Sequence, residues 1–464
     1  MSYSAIETAL ENILSSKQEY FQIPGSENLP SHISTNEEYV VKLLQNYKYP
    51  VSSWPVIIEP KEVKQLKKLT TILPQLLQKI VSLKFNNDPS KVADFYFNGD
   101  QDLATYALMC HEKYVPLSSR LDLALTDNGF KVLEANIGSS IGGWQVQSFE
   151  SIISKMHPAL TKLPLSLQFK SANVQTIYMK FLVDSIIQSH VDIDKEINIF
   201  FYIQKSLGDV VRKDSIQFFN GLLQRELSKR GLVGNAYSDD FDKLSLNNGG
   251  LFLGSIQLHS VIILNRDPGT RVPPELFRAF ITDHIHLPDH LGLSLLSDKR
   301  NLALLRELAV NNKFNEEENE LVLKSIPWTE TLVRKNVTYN KEEYDLLELL
   351  RLYKDRMVIK AAKGKQGMNV FIGKFLTPQQ WEKAIDEGLG ANPYIVQEFS
   401  DSKSFLAPDV NNLWSPHKLI WGAFGFGDEY GGVWVRMSAV ETDRGVINSA
   451  SGAVEAIVYE YEEG

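Results

Sequence analysis

Apolar residues recur at helical spacing from Ser4 to about Leu83, most regularly over 39–47 and 63–83, and the pattern predicts a helical N-terminal scaffold. Over 120–138 the texture changes. Apolar and polar residues alternate on either side of Asp127-Asn128-Gly129, which predicts a β-hairpin. From about Glu196 come an apolar run at 197–203, a helical pattern at 218–231 and a second apolar run at 260–264; strand, helix and strand in that order predict a small α/β unit with parallel pairing. A helix is expected around 301–310. Beyond it, short strands split by glycine-rich turns (357–374, 393–399, 419–441 and 445–453) and one helix (378–389) predict an antiparallel sheet. The polar stretch 311–320 reads as an exposed loop or helix end. The chain is therefore α+β and divides at about 1–90, 91–170, 171–295 and 296–464.

Composition narrows the class. The 464 residues are 43% hydrophobic and 23% charged, enough for a large core in several domains. With 57 acidic against 48 basic residues the formal charge is -9, so no overall field favours nucleic acid or an anionic membrane, and anionic substrates need local basic groups. The first 18 residues lack the basic and apolar regions of a signal peptide, and no apolar run is long enough to span a bilayer. A cytosolic address is expected. The single cysteine, Cys110, lies in an apolar stretch and reads as a packed small hydrophobe.

The hairpin carries the first chemistry. Strand alternation puts Arg120 and Asp122 on one face of the first strand and Glu134 and Asn136 on the matching face of the second, with Leu121, Leu123, Leu133 and Ala135 turned to the core. Two carboxylates and an amide oxygen are hard ligands suited to Mg2+ shared with phosphates, and Arg120 adds a bidentate donor. A solvated face with a cross-strand ion pair has the same pattern. Lys360 ends an apolar strand and is followed by Gly364, Gly367 and Asn369, a loop whose glycines let backbone N–H groups approach phosphate, although an ordinary turn looks alike. At 394–399 an apolar strand ends in Gln397-Glu398, where backbone groups could meet an adenine edge. A Tyr430-Gly431-Gly432 turn then feeds a strand carrying Arg436, which needs an anionic partner if it points inward.

Together these elements resemble the circularly permuted ATP-grasp ligases, in particular the synthetase domain of glutathionylspermidine synthase, over roughly residues 95–464. The resemblance implies a circularly permuted ATP-grasp fold: a metal-binding hairpin in 91–170, an inserted pre-ATP-grasp-like α/β domain at 171–295 and the nucleotide-binding part in 296–464. It implies metal ligands at Asp122, Glu134 and Asn136, and catalytic arginines at Arg120 and Arg436. ATP would lie on Lys299, Lys360, Gly364, Gly367, Asn369, Gln397 and Glu398. Two departures stand out. Ala361 follows Lys360 where the family usually has proline, and Ile137–Gly143, a loop that should help shape the substrate site, lacks the family's Asp-Thr-Pro type sequence, so the resemblance does not fix the substrate's identity.

The implied reaction uses ATP and Mg2+ to join a small-molecule or peptide carboxylate to an amine through an acyl-phosphate. A phosphotransferase or a non-catalytic nucleotide-binding regulator on the same fold are the alternatives. Asp283, His284, His286 and His290 carry transition-metal spacing, but a polar connection before Lys299 explains them as well.

Overall fold

The computed structural model describes residues 29–157, 167–189, 191, 193–247, 249–364, 369–408, 414–440 and 445–463. Among them no helix is long and apolar enough to cross a membrane. The helix expected at 63–83 runs from Pro60 to Phe85, with proline in its first turn and Asn86 closing it in the left-handed conformation. Its buried stripe, including Leu66, Leu69, Leu73, Leu76 and Ile80, packs against Leu121, Leu123, Trp421, Ala423 and Val435 of a large sheet.

Pro74 has no N–H for the Thr70 carbonyl to accept from. That carbonyl lies against Gly425, where a Cβ would approach it to 2.3 Å. Gly425→Ala is therefore expected to force helix and sheet apart and cost about 2 kcal/mol of stability, which a denaturant titration would measure.

Residues 39–47 do not extend the helical region. They hold only a 3-10 turn at Lys42–Leu44, and Val40, Leu44 and Val51 instead plug a second core around Phe149 and Tyr459. Beyond them Pro50 and Pro55 interrupt the chain, and Val56–Ile58 is drawn into a sheet as a parallel partner of Val454–Glu463. Residues 1–28 lie outside the described residues.

The large sheet has the order Val56–Ile58, Val454–Glu463, Glu429–Ala439, Trp414–Phe426, Ser118–Thr126, Gly129–Ile137. It thus joins the hairpin to strands some 300 residues later, with Gly422 directly beside Asp122. The late strands do not form one antiparallel sheet as the glycine-rich turns suggested. Residues 357–361, 370–372 and 394–398 join Thr329–Thr331 in a separate four-stranded sheet, with Thr329–Thr331 against 394–398. Residues 449–451 form a 3-10 turn rather than a strand. The turn between the two long strands falls at Gly427-Asp428, and Tyr430-Gly431-Gly432 lies inside the second strand at an irregularity of the pairing.

A third sheet sets Ile199–Tyr202 between Ser260–Ile263 and Ala236–Tyr237, all parallel. The helices Val174–Gln188 and Gly208–Ser228 cover one of its faces.

Candidate functional site

The hairpin pairs Arg120 with Asn136 and Asp122 with Glu134, so the four polar side chains share one face. The opposite face differs from the simple alternation. The register shifts after Asp122, and Leu123 faces Val132 rather than Leu133. Val132 and Phe130 enter the core, whereas Leu133 is left at the bulge. The bulge has a use: the Leu133 carbonyl, out of the regular ladder, accepts from Lys360 Nζ at 3.3 Å.

Asp122 is held by both arginines. Arg120 Nε donates to Oδ1 at 2.7 Å and Arg120 Nη2 to Oδ2 at 3.1 Å, while Arg436 Nη2 donates to Oδ2 at 2.8 Å. Burial pushes this carboxyl up, but the two guanidinium groups overturn that and bring it down to about 2. Arg120 also donates from Nη1 to the Gly142 carbonyl at 2.8 Å, which ties it to the loop after the hairpin. The arginines reach one carboxylate because Gly422 lies between their strands. A Cβ at Gly422 would fall 2.3 Å from Trp434 Nε1, and Arg436 lies over that indole at 5.3 Å.

Two lysines complete the cluster. Lys299 precedes the helix Arg300–Val310, where its Nζ pairs with Glu134 Oε1 at 3.0 Å and donates to the Gly364 carbonyl at 2.7 Å. Lys360, in the strand Met357–Ala361, donates to Gln397 Oε1 at 2.6 Å. Burial lowers the Lys360 ammonium to about 8, with Lys299 pushing the same way and Glu134 and Asp122 opposing. Four cationic side chains thus surround two carboxylates in a largely buried setting, an arrangement with spare positive charge for a polyanion.

Glu398 and Gln397 sit differently from an adenine-reading backbone pair. The Glu398 amide donates to the Trp328 carbonyl and the Phe399 amide to that of Arg356, both at 2.8 Å, while the Glu398 carboxylate accepts from Tyr339. It is the Gln397 side chain, anchored by Thr329 at 3.1 Å, that reaches the site. Asn369 takes a left-handed conformation and its carbonyl accepts from the Ala361 amide. Gly367 lies outside the described residues.

Sequence reasoning missed Glu455, which stands opposite Arg436 across the strand pair, fully buried, accepting from Tyr47 at 2.9 Å and Ser449 at 2.6 Å. Burial pushes its carboxyl up, opposed by the hydrogen bonds from Ser449 and Tyr47 and then by Arg436 and Arg120. Its signal was a lone acid in the apolar run 453–458.

For a divalent cation the donor set fits. Asp122, Glu134 and Asn136 are oxygen ligands on one face; the arginines use three of roughly four lone-pair positions on Asp122, which leaves it one for a cation beside Glu134 and Asn136. Among the described residues no group of three His, Cys, Asp or Glu side chains is gathered for a metal. Mg2+ does not require one, since water and phosphate complete its shell. The Asp283–His290 segment does not converge either. Asp283 pairs with Lys113 at 2.8 Å, His286 is buried against Ser260, and His290 stacks on Phe280 and accepts from the Gly292 amide. Burial brings His286 and His290 down to about 4 and about 3, as neutral packed imidazoles.

No protein-family model and no curated protein matches the chain. Among solved structures it is similar to a glutathione synthetase-like effector from Globodera pallida, in the apo form, at 13% identity, with 89% of this chain and 90% of that chain covered and a TM-score of 0.54. A protein described as a gamma-glutamylcysteine synthetase from Methylobacillus flagellatus aligns at 13% identity over 84% and 88% of the two chains, with a TM-score of 0.41. The first likeness gives the chain a synthetase-like fold.

Proposed function

We propose that the chain is an ATP-dependent, ADP-forming ligase of the circularly permuted ATP-grasp kind that joins a carboxylate to an amine. The observation that carries this reading is the meeting of Lys299 and Lys360 with Arg120, Asp122, Glu134 and Arg436, residues from four separate parts of the chain. The synthetase-like fold supports it.

In this reading Lys299 and Lys360 take the triphosphate of ATP, with Gln397 steering Lys360. Asp122, Glu134 and Asn136 would hold Mg2+, which supplies charge neutralisation on the phosphates when bound. Arg120 orients the substrate carboxylate. One carboxylate oxygen attacks the γ-phosphorus and the bond to the β-γ bridging oxygen breaks, giving ADP and an acyl-phosphate. Anion meets anion in this step, so Arg120, Arg436 and both lysines lower the barrier by countering the accumulating charge. An uncharged amine then attacks the acyl carbon, phosphate leaves, and the amine's proton passes to phosphate or water. Closure over the acyl-phosphate keeps water from intercepting it.

A screen for ADP release with paired carboxylates and amines tests the proposal. Release that depends on both partners, with a product mass equal to their sum less one water, is the expected result. Release that needs no amine, with phosphate retained on the acceptor, would instead make the protein a phosphotransferase.

A further inference from the structure

Next to the cationic site lies an apolar pocket, open on one side, whose walls come from several elements. Ser139, Ile141 and Trp144 belong to the segment after the hairpin, Phe424 and Phe426 to the sheet face, Tyr178 to the helix Val174–Gln188, and Phe218 to the helix Gly208–Ser228. The aromatic walls are mutually packed. Trp144 stacks on Phe218 at 5.7 Å and Tyr178 leans on Phe426 at 5.4 Å.

Two links make the pocket continuous with the site. Phe424 is the cross-strand neighbour of Arg120, so the pocket wall begins where the arginine stands on the same sheet face. The carbonyl that accepts from Arg120 belongs to Gly142, between the lining residues Ile141 and Trp144. This is also the segment whose sequence departs from the family pattern.

The polar lining is slight: the hydroxyls of Tyr178 and Ser139 are shut off from solvent and lie beside each other. The position of Ser139 is set from behind. Its amide donates to Asp289 Oδ1 at 2.8 Å, while Asp289 Oδ2 accepts from the Ile263 amide at 2.8 Å, which pins the segment to the small parallel sheet.

We propose that the carboxylate substrate carries a compact apolar side chain, branched aliphatic or aromatic, which this pocket receives while the carboxylate rests on Arg120. The inference rests on the ligase reading and adds to it the substrate class: an apolar amino acid or a peptide ending in one. A pocket with this lining suits an apolar side chain and offers an acidic or basic one no counter-charge.

Calorimetric titration of the full-length protein, loaded with Mg2+ and a non-hydrolysable ATP analogue, tests this with L-leucine, L-phenylalanine and glycine. Leucine or phenylalanine is expected to bind at least tenfold more tightly than glycine. Ile141→Trp, which fills the pocket from a surface loop, is expected to erase that difference. Equal binding of all three by the wild-type protein overturns the proposal without need of any variant. The two readings fail separately. ADP release with no preference among side chains sinks the pocket assignment and leaves the ligase, whereas a side-chain preference in binding with no ADP release for any pair sinks the ligase and leaves the pocket.

Discussion

Glu134→Gln is expected to lower kcat for ADP release by a hundredfold or more while leaving the melting temperature within a few degrees of the wild type. Charge stabilisation at a transferring phosphoryl group is lost when an anionic metal ligand becomes a neutral amide, and the loss of one such group costs about 3 kcal/mol. Stability should change little for a geometric reason. The Glu134 side chain is about a third exposed, and glutamine keeps an oxygen for Lys299, now 3.0 Å from the carboxylate. Asp122 would make a poorer probe, since its removal strands two buried guanidinium groups. Steady-state ADP release and a thermal melt, run on the same preparation, separate the two effects. A wild-type rate in Glu134→Gln would take the hairpin out of the chemistry.

The hairpin was the most legible part of the chain. Its alternation and its Asn128-Gly129 turn carry face and register in short-range signals, and the structure has Arg120 opposite Asn136 and Asp122 opposite Glu134. The bulge was not legible. A single extra residue at Leu133 leaves no mark in composition, yet it re-aims the carbonyl that Lys360 uses. Nor could local pattern show that Arg436 meets Asp122 across 314 positions; the family resemblance put Arg436 among the catalytic residues without naming that partner.

The same limit explains the strands after 400. Glycine-rich turns marked where strands break, but not which sheet each would join. That depends on the hairpin, some 300 residues earlier, leaving an edge for Trp414–Phe426. The N-terminal error has another cause. Helical periodicity in 39–47 is as consistent with a turn that tucks Val40 and Leu44 under Phe149, and tertiary packing decided between them.

Lys360 offers the second large effect, and its sign follows from burial. With its ammonium lowered to about 8, Lys360 is mostly charged at neutral pH and loses its proton as the pH rises through 8. Bound triphosphate favours the charged form and raises this value, so nucleotide affinity should be flat below pH 8 and fall about tenfold per unit above it. Folding stability should run the other way. The unfolded chain holds this proton up to the ordinary lysine value, so between about pH 8 and 10 the free protein should gain stability from this group as the pH rises. Lys360→Met is expected to weaken binding of a non-hydrolysable ATP analogue by about a hundredfold at pH 7, the loss of one charge-assisted contact of roughly 3 kcal/mol. It should also flatten the pH dependence, because the titrating group is gone and Gln397 keeps only Thr329 as a partner. Calorimetric titration of the analogue from pH 7 to 10 reads both quantities. An unchanged slope above pH 8 in Lys360→Met would move the proton to another group and separate Lys360 from the phosphates.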